Sequence, residues 1–276
     1  MTPTAPRART RSETIDTAAF FGLRPTDREG VWELPVVPGI SSGMGTLFGG
    51  CALGAAAEAL EATTGRPLVW AAAQFLSFVS PPDVVEIEVT PLARGRRFTQ
   101  ARVVGRSGDT DIFQISATLG RRDSDLSGSW ALPPESLPPE QCPMRERKRR
   151  HEDTVMDRVE TRLVVDPSGD VEPGRVAPGR SGFWVRVPDL ECSSAALGLV
   201  GDFIPAGISF ALGQRAGGSS LDNSIRVLQL APTEWYLVDV RIHGVEHGVA
   251  HGLAHLWNER GVLLGTASQT TVVRHF

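Results

Sequence analysis

The amino-acid sequence predicts an α+β fold built from two tandem units, each with one helix and an antiparallel sheet. Three observations support this prediction. Short β-like apolar runs dominate the chain, each half contains one helix candidate rich in small apolar residues, and the two halves share one layout. In each half the helix candidate is followed by a strand that ends near a proline, Pro82 or Pro232, and then by a strand pair and a closing strand of small residues. Pro82 precedes Ala117 by 35 residues and Pro232 precedes Ala267 by 35, so the halves superpose with an offset of 150. Such a repeat indicates that one structural unit occurs twice.

The composition is that of a globular protein. The chain has 276 residues, a formal net charge of −4, 41% hydrophobic residues and 22% charged residues. This charge content excludes global disorder, and the mildly acidic balance predicts no binding to nucleic acid. No uninterrupted run of about 18 apolar residues occurs, so no membrane span is predicted.

Residues 1–15 are predicted to form a disordered lead. They include basic residues, but no apolar stretch follows them, which argues against a secretory signal. The three cysteines, Cys51, Cys142 and Cys192, are odd in number and widely spaced, which argues against a disulfide framework. We therefore expect a reduced, cytoplasmic protein.

The first unit is predicted over residues 16–123. Its helix is expected at 47–62, where six alanines and two glutamates favour a helix. Three strands are expected at 84–89, 98–104 and 112–119, because short apolar runs bounded by Gly or Pro are typical of strands. An alanine-rich helix suits the apolar face of a sheet because its small side chains allow close approach.

The second unit is predicted over residues 155–276. Its helix is expected at 193–212, with a break or kink at Pro205. Its strands are expected at 184–187, 235–242 and 262–267. Residues 124–154 are predicted to be a linker, because five prolines within 133–143 disfavour both helix and sheet. The basic run at 145–150 is expected to be solvated, with a nucleic-acid or membrane patch as the alternative.

Several short motifs carry a family resemblance. In the first half they are Leu47-Phe48-Gly49-Gly50, Gln74-Phe75-Leu76-Ser77-Phe78 and Arg97-Phe98-Thr99. In the second half they are Gly201-Asp202-Phe203, Ser220-Leu221-Asp222 and Thr266-Ala267-Ser268-Gln269. In this order and spacing, the chain resembles the bacterial acyl-CoA thioesterase II family. The resemblance implies a double hotdog fold, in which a curved antiparallel sheet wraps a long helix twice. It also implies hydrolysis of an acyl-CoA substrate to CoA and a free carboxylic acid, no metal or other cofactor, and a homodimer or higher homo-oligomer.

The resemblance places the catalytic residues at Asp202, Ser220 and Gln269. Their chemistry fits thioester hydrolysis, since a carboxylate can take a proton from water while a hydroxyl and an amide orient that water or hold an oxyanion. Asp202 lies among apolar residues, where an unpartnered carboxylate is costly, and this favours a site over a solvent-facing aspartate. Taken alone, Ser220 is better explained as an ordinary serine of a loop or strand start, and Gln269 as an exposed strand residue.

Four further residues are candidates for substrate binding. Gly49 and Gly50 begin the first helix, where unsatisfied N–H groups can bind a polarised carbonyl, although close helix packing explains them as well. Asp222 is two residues from Ser220 and shares its face in an extended segment. His243 is a candidate for facing the substrate, because histidine titrates near neutral pH.

Four histidines recur every four residues, at 243, 247, 251 and 255. On a helix they would line one face, as in a metal site, but glycine follows three of them and disfavours a helix. On a strand they would span about 40 Å, which is too long for one ion. No metal site is predicted.

One segment departs from the family pattern. Where the family continues Asp-His-Ser, this chain reads Asp222-Asn223-Ser224, and the aromatic residues that follow in the family are missing. The departure leaves the choice of substrate open. Two alternatives to hydrolysis stay open. One is a hotdog protein that binds acyl-CoA or an acyl carrier without turnover. The other is an enoyl-thioester hydratase, for which no Asp/His pair is evident.

Overall fold

A computed structural model of the protein describes residues 17–146 and 152–275. The predicted lead at 1–15 and most of the basic run at 145–150 lie outside these ranges. The first half contains α1 (Thr17–Phe21), β1 (Arg24–Pro25), β2 (Val31–Pro35), α2 (Gly49–Thr64), β3 (Leu68–Phe75), β4 (Val84–Arg94), β5 (Phe98–Ser107) and β6 (Thr110–Gly120). The second half contains β7 (Glu160–Leu163), β8 (Arg175–Ala177), β9 (Arg180–Arg186), α3 (Ser194–Gly201), α4 (Ile208–Leu212), β10 (Ala216–Ser220), β11 (Asp222–Val227), β12 (Trp235–Glu246), β13 (Val249–Asn258) and β14 (Leu263–His275).

The described strands form one continuous antiparallel sheet of 14 strands. Its main order is β1-β2-β4-β5-β6-β3-β11-β14-β13-β12-β9-β7, with β10 paired to β14 and β8 paired to β9. The halves meet where β3 pairs with β11, with Ala71 opposite Ile225. Each half therefore continues the sheet of the other, and two core helices lie against one shared sheet. This is the double hotdog architecture that the sequence predicts.

The helices α2 and α3 pack against each other at very close range. A Cβ atom on Gly198 would lie 3.0 Å from the backbone nitrogen of Gly54, so the two glycines set this distance. At one end of the contact, Ser194 Oγ donates to Glu61 Oε1 over 2.8 Å. At the other end, Gly50 lies against the C-terminus of α3. The helices are therefore antiparallel, and the start of α2 meets the end of α3.

The predicted elements are found, and most strands are longer than predicted. The helix expected at 47–62 is α2, and the one expected at 193–212 breaks into α3, a 3₁₀ turn at Ile204–Gly207 and α4, with Pro205 in the turn. The predicted strands fall within or overlap β4, β5, β6, β9, β12 and β14. The strands β3 and β11, which join the halves, stand where the repeat predicts a strand between each helix and Pro82 or Pro232, and each ends a few residues before that proline.

The segment predicted to be a linker has little regular structure, but its second part is packed rather than solvated. Trp184 Nε1 donates to Ser136 Oγ (3.0 Å) and to the Leu137 carbonyl (3.2 Å). The Cys142 side chain joins a small apolar cluster separate from the main core. The buried members of this tryptophan cluster are Cys142, Val164, Trp184, Trp235, Leu237 and Trp257. The second part of the predicted linker therefore covers part of the second half.

One described stretch, Ser194–Leu212, is long and apolar enough to cross a membrane by length and composition. Of its most apolar window, 67% is buried inside the protein. A buried core helix passes the same test, so this stretch is weak evidence for a span.

Candidate active site

Asp202 stands where the two core helices meet. It is the C-cap residue of α3, and only 5% of its surface is exposed. The Gly50 N–H, in the first turn of α2, donates to Asp202 Oδ2 over 2.6 Å. A carboxylate at a helix N-terminus is stabilised by the helix dipole and by N–H groups that have no partner within the helix. The first half thus contributes backbone to a site whose carboxylate comes from the second half.

Three side chains from the second half surround the other carboxylate oxygen, Oδ1. Gln269 Nε2, on β14, donates to Oδ1 through a short hydrogen bond. Asn223 Nδ2, on β11, donates to the same oxygen over 3.3 Å, and Ser220 Oγ lies 3.5 Å away. Gln269 Nε2 also donates to Ser220 Oγ over 2.6 Å. Residues that are 18 to 67 positions apart in sequence therefore form one hydrogen-bonded cluster around the carboxylate.

The structure brings Asp202, Ser220 and Gln269 together as the sequence predicts, and it adds Asn223. The Asn223 side chain is fully buried, and its Oδ1 has no hydrogen-bond partner among the described residues. Sequence reasoning treated this position only as a departure from the family pattern. Its place three residues after Ser220 was the available signal, because a polar residue next to a predicted site on a strand is a candidate for the same cluster.

Burial raises the pKa of Asp202 from 3.8 to about 7. Desolvation of the charged form is the largest cause. The donors Gln269, Gly50, Ser220 and Asn223 lower the pKa, each by stabilising the ionised form. A carboxylate that titrates near neutrality is suited to accept and return a proton at physiological pH.

A cavity of about 660 Å³ opens beside this carboxylate. Asp202, Ser220 and Gly49 line it together with mostly apolar side chains, among them Phe48, Phe75 and Phe203. At its edge several apolar side chains are exposed to solvent, including Met44, Leu76 and Phe78, the last of them 71% exposed. Two basic residues, Arg145 and Arg274, also line the cavity. A largely apolar cavity with a few convergent polar groups is the usual form of a small-molecule site.

The two glycines at the start of α2 have different surroundings. The Gly50 N–H is bound to Asp202, and a Cβ atom there would lie 2.8 Å from both Asp202 Cβ and the Leu199 carbonyl. Close packing therefore explains Gly50. Gly49 lines the cavity, and no hydrogen-bond acceptor is found for its N–H in the described part of the chain. Of the two, only Gly49 has an N–H that a substrate carbonyl could use.

The two other substrate-binding candidates do not line this cavity. Asp222 Oδ1 accepts a hydrogen bond from the Thr270 N–H over 2.7 Å, which fixes β14 next to Gln269. Asp222 thus holds the strand that carries Gln269 and does not itself face the cavity. His243 is exposed on β12, beside a register shift between Ile242 and Gly244 near the end of the β12–β13 hairpin. Its place argues against the predicted contact with substrate.

Among residues 17–146 and 152–275, no group of three or more His, Cys, Asp or Glu side chains could hold a metal ion. The four regularly spaced histidines lie along the β12–β13 hairpin, within which His247 occupies the turn. The expected span of about 40 Å along one strand is therefore wrong, because the chain folds back and pairs His251 with Gly244, next to His243.

Comparison with known proteins identifies the family to which this chain belongs. Residues 37–120 match the acyl-CoA thioesterase N-terminal domain, and residues 134–273 match the acyl-CoA thioesterase C-terminal domain. These matches define the class of protein, a double hotdog thioester hydrolase. The chain belongs to the acyl-CoA thioesterase family. The C-terminal match begins within the predicted linker, in keeping with the packing of that segment on the second half.

Solved structures support the same assignment. The chain is similar to a protein described as a thioesterase from Novosphingobium aromaticivorans (30% identity, TM-score 0.82, covering 91% of this chain and 97% of that one). It is similar to a hot dog protein from Alicyclobacillus acidocaldarius (18%, 0.80, 94% and 98%) and to acyl-CoA thioesterase II TesB2 from Mycobacterium marinum (17%, 0.72, 95% and 99%). At these lower identities the likeness shows the fold. No curated protein sequence matches the chain significantly.

Proposed function

We propose that the protein hydrolyses an acyl-CoA thioester to CoA and a free carboxylic acid with a water molecule oriented by Asp202, Ser220 and Gln269. The observation that supports this assignment is the convergence of the three side chains on one carboxylate at the edge of the cavity. The family accounts for the reaction, and the geometry supports the roles of the residues.

Asp202 is the general base in this proposal. Its ionised carboxylate takes a proton from the water, whose oxygen attacks the carbonyl carbon of the thioester. The tetrahedral intermediate then collapses with cleavage of the C–S bond, and the thiolate of CoA takes the proton back from the Asp202 carboxyl. A base with a pKa of about 7 is suited to both transfers, because it binds and releases a proton at little cost near neutral pH.

Ser220 and Gln269 act together on the water and the base. Gln269 Nε2 donates to both Asp202 and Ser220. This amide therefore fixes the positions of the carboxylate and of the hydroxyl. Ser220 lines the cavity, and its hydroxyl can both accept from and donate to a water beside the carboxylate. We assign the orientation of the water to Ser220 and the orientation of the base to Gln269.

The oxyanion needs a donor that is not already engaged. The Gly49 N–H meets this requirement, because it lines the cavity at the N-terminus of α2 and has no acceptor in the described part of the chain. Backbone N–H groups at a helix start stabilise developing negative charge without reorganisation. The apolar side chains of the cavity would then hold the acyl chain.

Replacement of Asp202 tests the proposal. Hydrolysis of acyl-CoA substrates of several chain lengths would be followed by release of free thiol. The Asp202→Asn variant is expected to lose about 10²–10⁴-fold in kcat, the usual contribution of general-base catalysis. The matched control is Asp109→Asn, which changes an exposed aspartate in the β5–β6 turn. Circular dichroism would confirm that both variants fold.

Two outcomes would contradict the proposal. Turnover by Asp202→Asn at the rate of the wild-type protein would exclude Asp202 as the base. Binding of every acyl-CoA without release of thiol by the wild-type protein would favour the binding protein over the hydrolase. The deep burial of Asp202, already surrounded by four donors, is the observation that keeps this second function in view.

A further inference from the structure

A second cleft lies at the opposite end of α2 from Asp202. It is open and encloses about 600 Å³. Three parts of the first half form it: the turn after α2, the turn between β4 and β5, and the residues that follow β6. The 16 residues of α2 span about 24 Å at ~1.5 Å per residue, so the cleft is well separated from the catalytic carboxylate.

The cleft concentrates positive charge. Four arginines line it, Arg66, Arg96, Arg97 and Arg121, against a single carboxylate, that of Asp123. The local formal charge is thus +3 in a chain whose net charge is −4. None of the four arginines forms an ion pair with another residue in the ranges that the structure describes.

One of these arginines is held in place by the backbone. Arg66 Nη2 donates to the Gly95 carbonyl over 2.9 Å and to the Arg96 carbonyl over 3.5 Å, which ties the turn after α2 to the β4–β5 turn. Arg66 Nη1 is enclosed and has no hydrogen-bond partner among the described residues. The Arg96, Arg97 and Arg121 side chains are exposed around it. The cleft therefore has one arginine that is fixed by hydrogen bonds and three exposed arginines around it.

Fold stability explains Arg66 in part, through its hydrogen bonds to the backbone, but it does not explain the three exposed arginines around it. Cations near the C-terminus of α2 gain something from the helix dipole, but that charge is only about half an elementary unit and acts within the last turn. Four like charges around one concavity repel each other, and a concave surface focuses their potential. The planar guanidinium group pairs with phosphate oxygens through two parallel hydrogen bonds.

We propose that this arginine cleft binds a small anion that carries two adjacent phosphoryl groups, a diphosphate. The local charge of +3 is suited to an anion with more charge than a single phosphate. The proposal is independent of the roles assigned to Asp202, Ser220 and Gln269, because it uses none of the residues of the catalytic cavity.

Titration calorimetry with sodium pyrophosphate at about 150 mM NaCl tests the proposal on the full chain. The wild-type protein is expected to bind one equivalent saturably. The Arg97→Gln/Arg121→Gln variant is expected to bind at least about tenfold more weakly, since it loses two charged donors. The matched control is Arg24→Gln/Arg102→Gln, which removes the same charge at exposed positions outside the cleft and is expected to stay within about twofold of wild type.

Several results would overturn the proposal. One is the absence of saturable binding by the wild-type protein, and another is an equal loss in both double variants, which would indicate unspecific attraction. A loss in Arg274→Gln instead would place the anion at the catalytic cavity. Sedimentation with phosphatidylglycerol vesicles without any binding of pyrophosphate would assign the cleft to a lipid headgroup. If the double variant fails to fold, the single variant Arg121→Gln replaces it, because that side chain is exposed and forms no hydrogen bond with the described residues.

Discussion

Asp202 must be buried enough to titrate near neutrality and still be ionised enough to act. Desolvation raises its pKa, and four hydrogen-bond donors limit the rise to about 7. The free energy of burying this carboxylate is therefore partly offset by Gln269, Asn223, Ser220 and the Gly50 N–H. Each donor is a means of adjusting the pH at which the base is active.

The pH profile should report this balance. If Asp202 is the base, kcat/KM is expected to rise through about pH 7 and to level off above it, because only the ionised carboxylate accepts a proton. In Asn223→Ala the midpoint is expected to move to higher pH, since one donor that favours the ionised form is lost. A midpoint unchanged in Asn223→Ala, with only a lower rate, would mean that Asn223 serves packing alone.

The same burial should make the protein less stable as pH rises. Below about pH 4 the carboxyl is protonated in both states, while between about pH 4 and 7 the folded state retains a proton that the unfolded chain has lost. The free energy of unfolding is therefore expected to fall across this window, by at most about 4 kcal/mol.

Urea denaturation of Asp202→Asn and the wild-type protein would measure this effect. The variant should match wild type at about pH 4 and be more stable by about 1–3 kcal/mol at about pH 8, because it buries no charge. Asp109→Asn serves as the control, since its exposed side chain should show no such dependence. A variant that is less stable than wild type at both pH values would contradict the expectation.

For individual residues, the sequence predicted the catalytic candidates better than it predicted their hydrogen-bond partners. Asp202, Ser220 and Gln269 could be predicted because each stands in a motif of the resembling family. The donation from Gly50 and the role of Asn223 could not, because both depend on how α2 and β11 approach α3, which no local pattern records. Asn223 is an ordinary polar residue at the start of a strand until the fold places it against a carboxylate.

Between elements, the contact of α2 with α3 determines the geometry of the site. Glycines at 50, 54 and 198 leave no room for a Cβ atom, so the helices approach as closely as their backbones allow. Any added atom at this contact must move one helix, and the Asp202 carboxylate moves with α3.

Gly50→Ala tests this link between packing and chemistry. Its Cβ atom would meet Asp202 Cβ and the Leu199 carbonyl at 2.8 Å, which should cost about 1–3 kcal/mol of stability and lower kcat by about tenfold or more. The matched control is Gly43→Ala, where an added Cβ atom has nothing within 4 Å. Equal activity and urea midpoints in the two variants would show that the contact tolerates displacement.

The elements themselves were predicted unevenly. The alanine-rich helix and the break at Pro205 follow from local preferences, and so do the long strands of alternating apolar residues. The strands β3 and β11 were predicted only from the repeat and without bounds, because LVWAAAQF contains few β-branched residues and DNSIRV is half polar. Their strand conformation depends on pairing with each other across the two halves, which is a long-range contact.

For the whole molecule, the contact of α2 with α3 joins the two halves, and so does the pairing of β3 with β11. This pairing turns two sheets into one, and without it each half would present an unpaired edge strand. The packed linker adds a third connection on the second half. The domain limits at residues 123 and 155 and the homo-oligomeric, cytoplasmic state remain predictions.

Separate expression of residues 1–123 and 124–276 tests how far the halves depend on each other. Each alone is expected to aggregate or to pair with itself, because an exposed edge strand favours association. Co-expression is expected to give one complex with the elution volume of the intact chain in size-exclusion chromatography. Two monodisperse, folded monomers would show that the halves are independent domains.

The tryptophan cluster beneath the linker has a consequence for spectroscopy. Three of the six tryptophans in the chain, Trp184, Trp235 and Trp257, are buried together where the linker covers the second half, while the two core helices contain none. Intrinsic fluorescence therefore responds to release of the linker as well as to opening of the sheet, whereas far-ultraviolet circular dichroism reports on the sheet and helices. If the linker detaches before the core opens, the two signals separate along a denaturation curve, and a single midpoint from fluorescence would mix the two events.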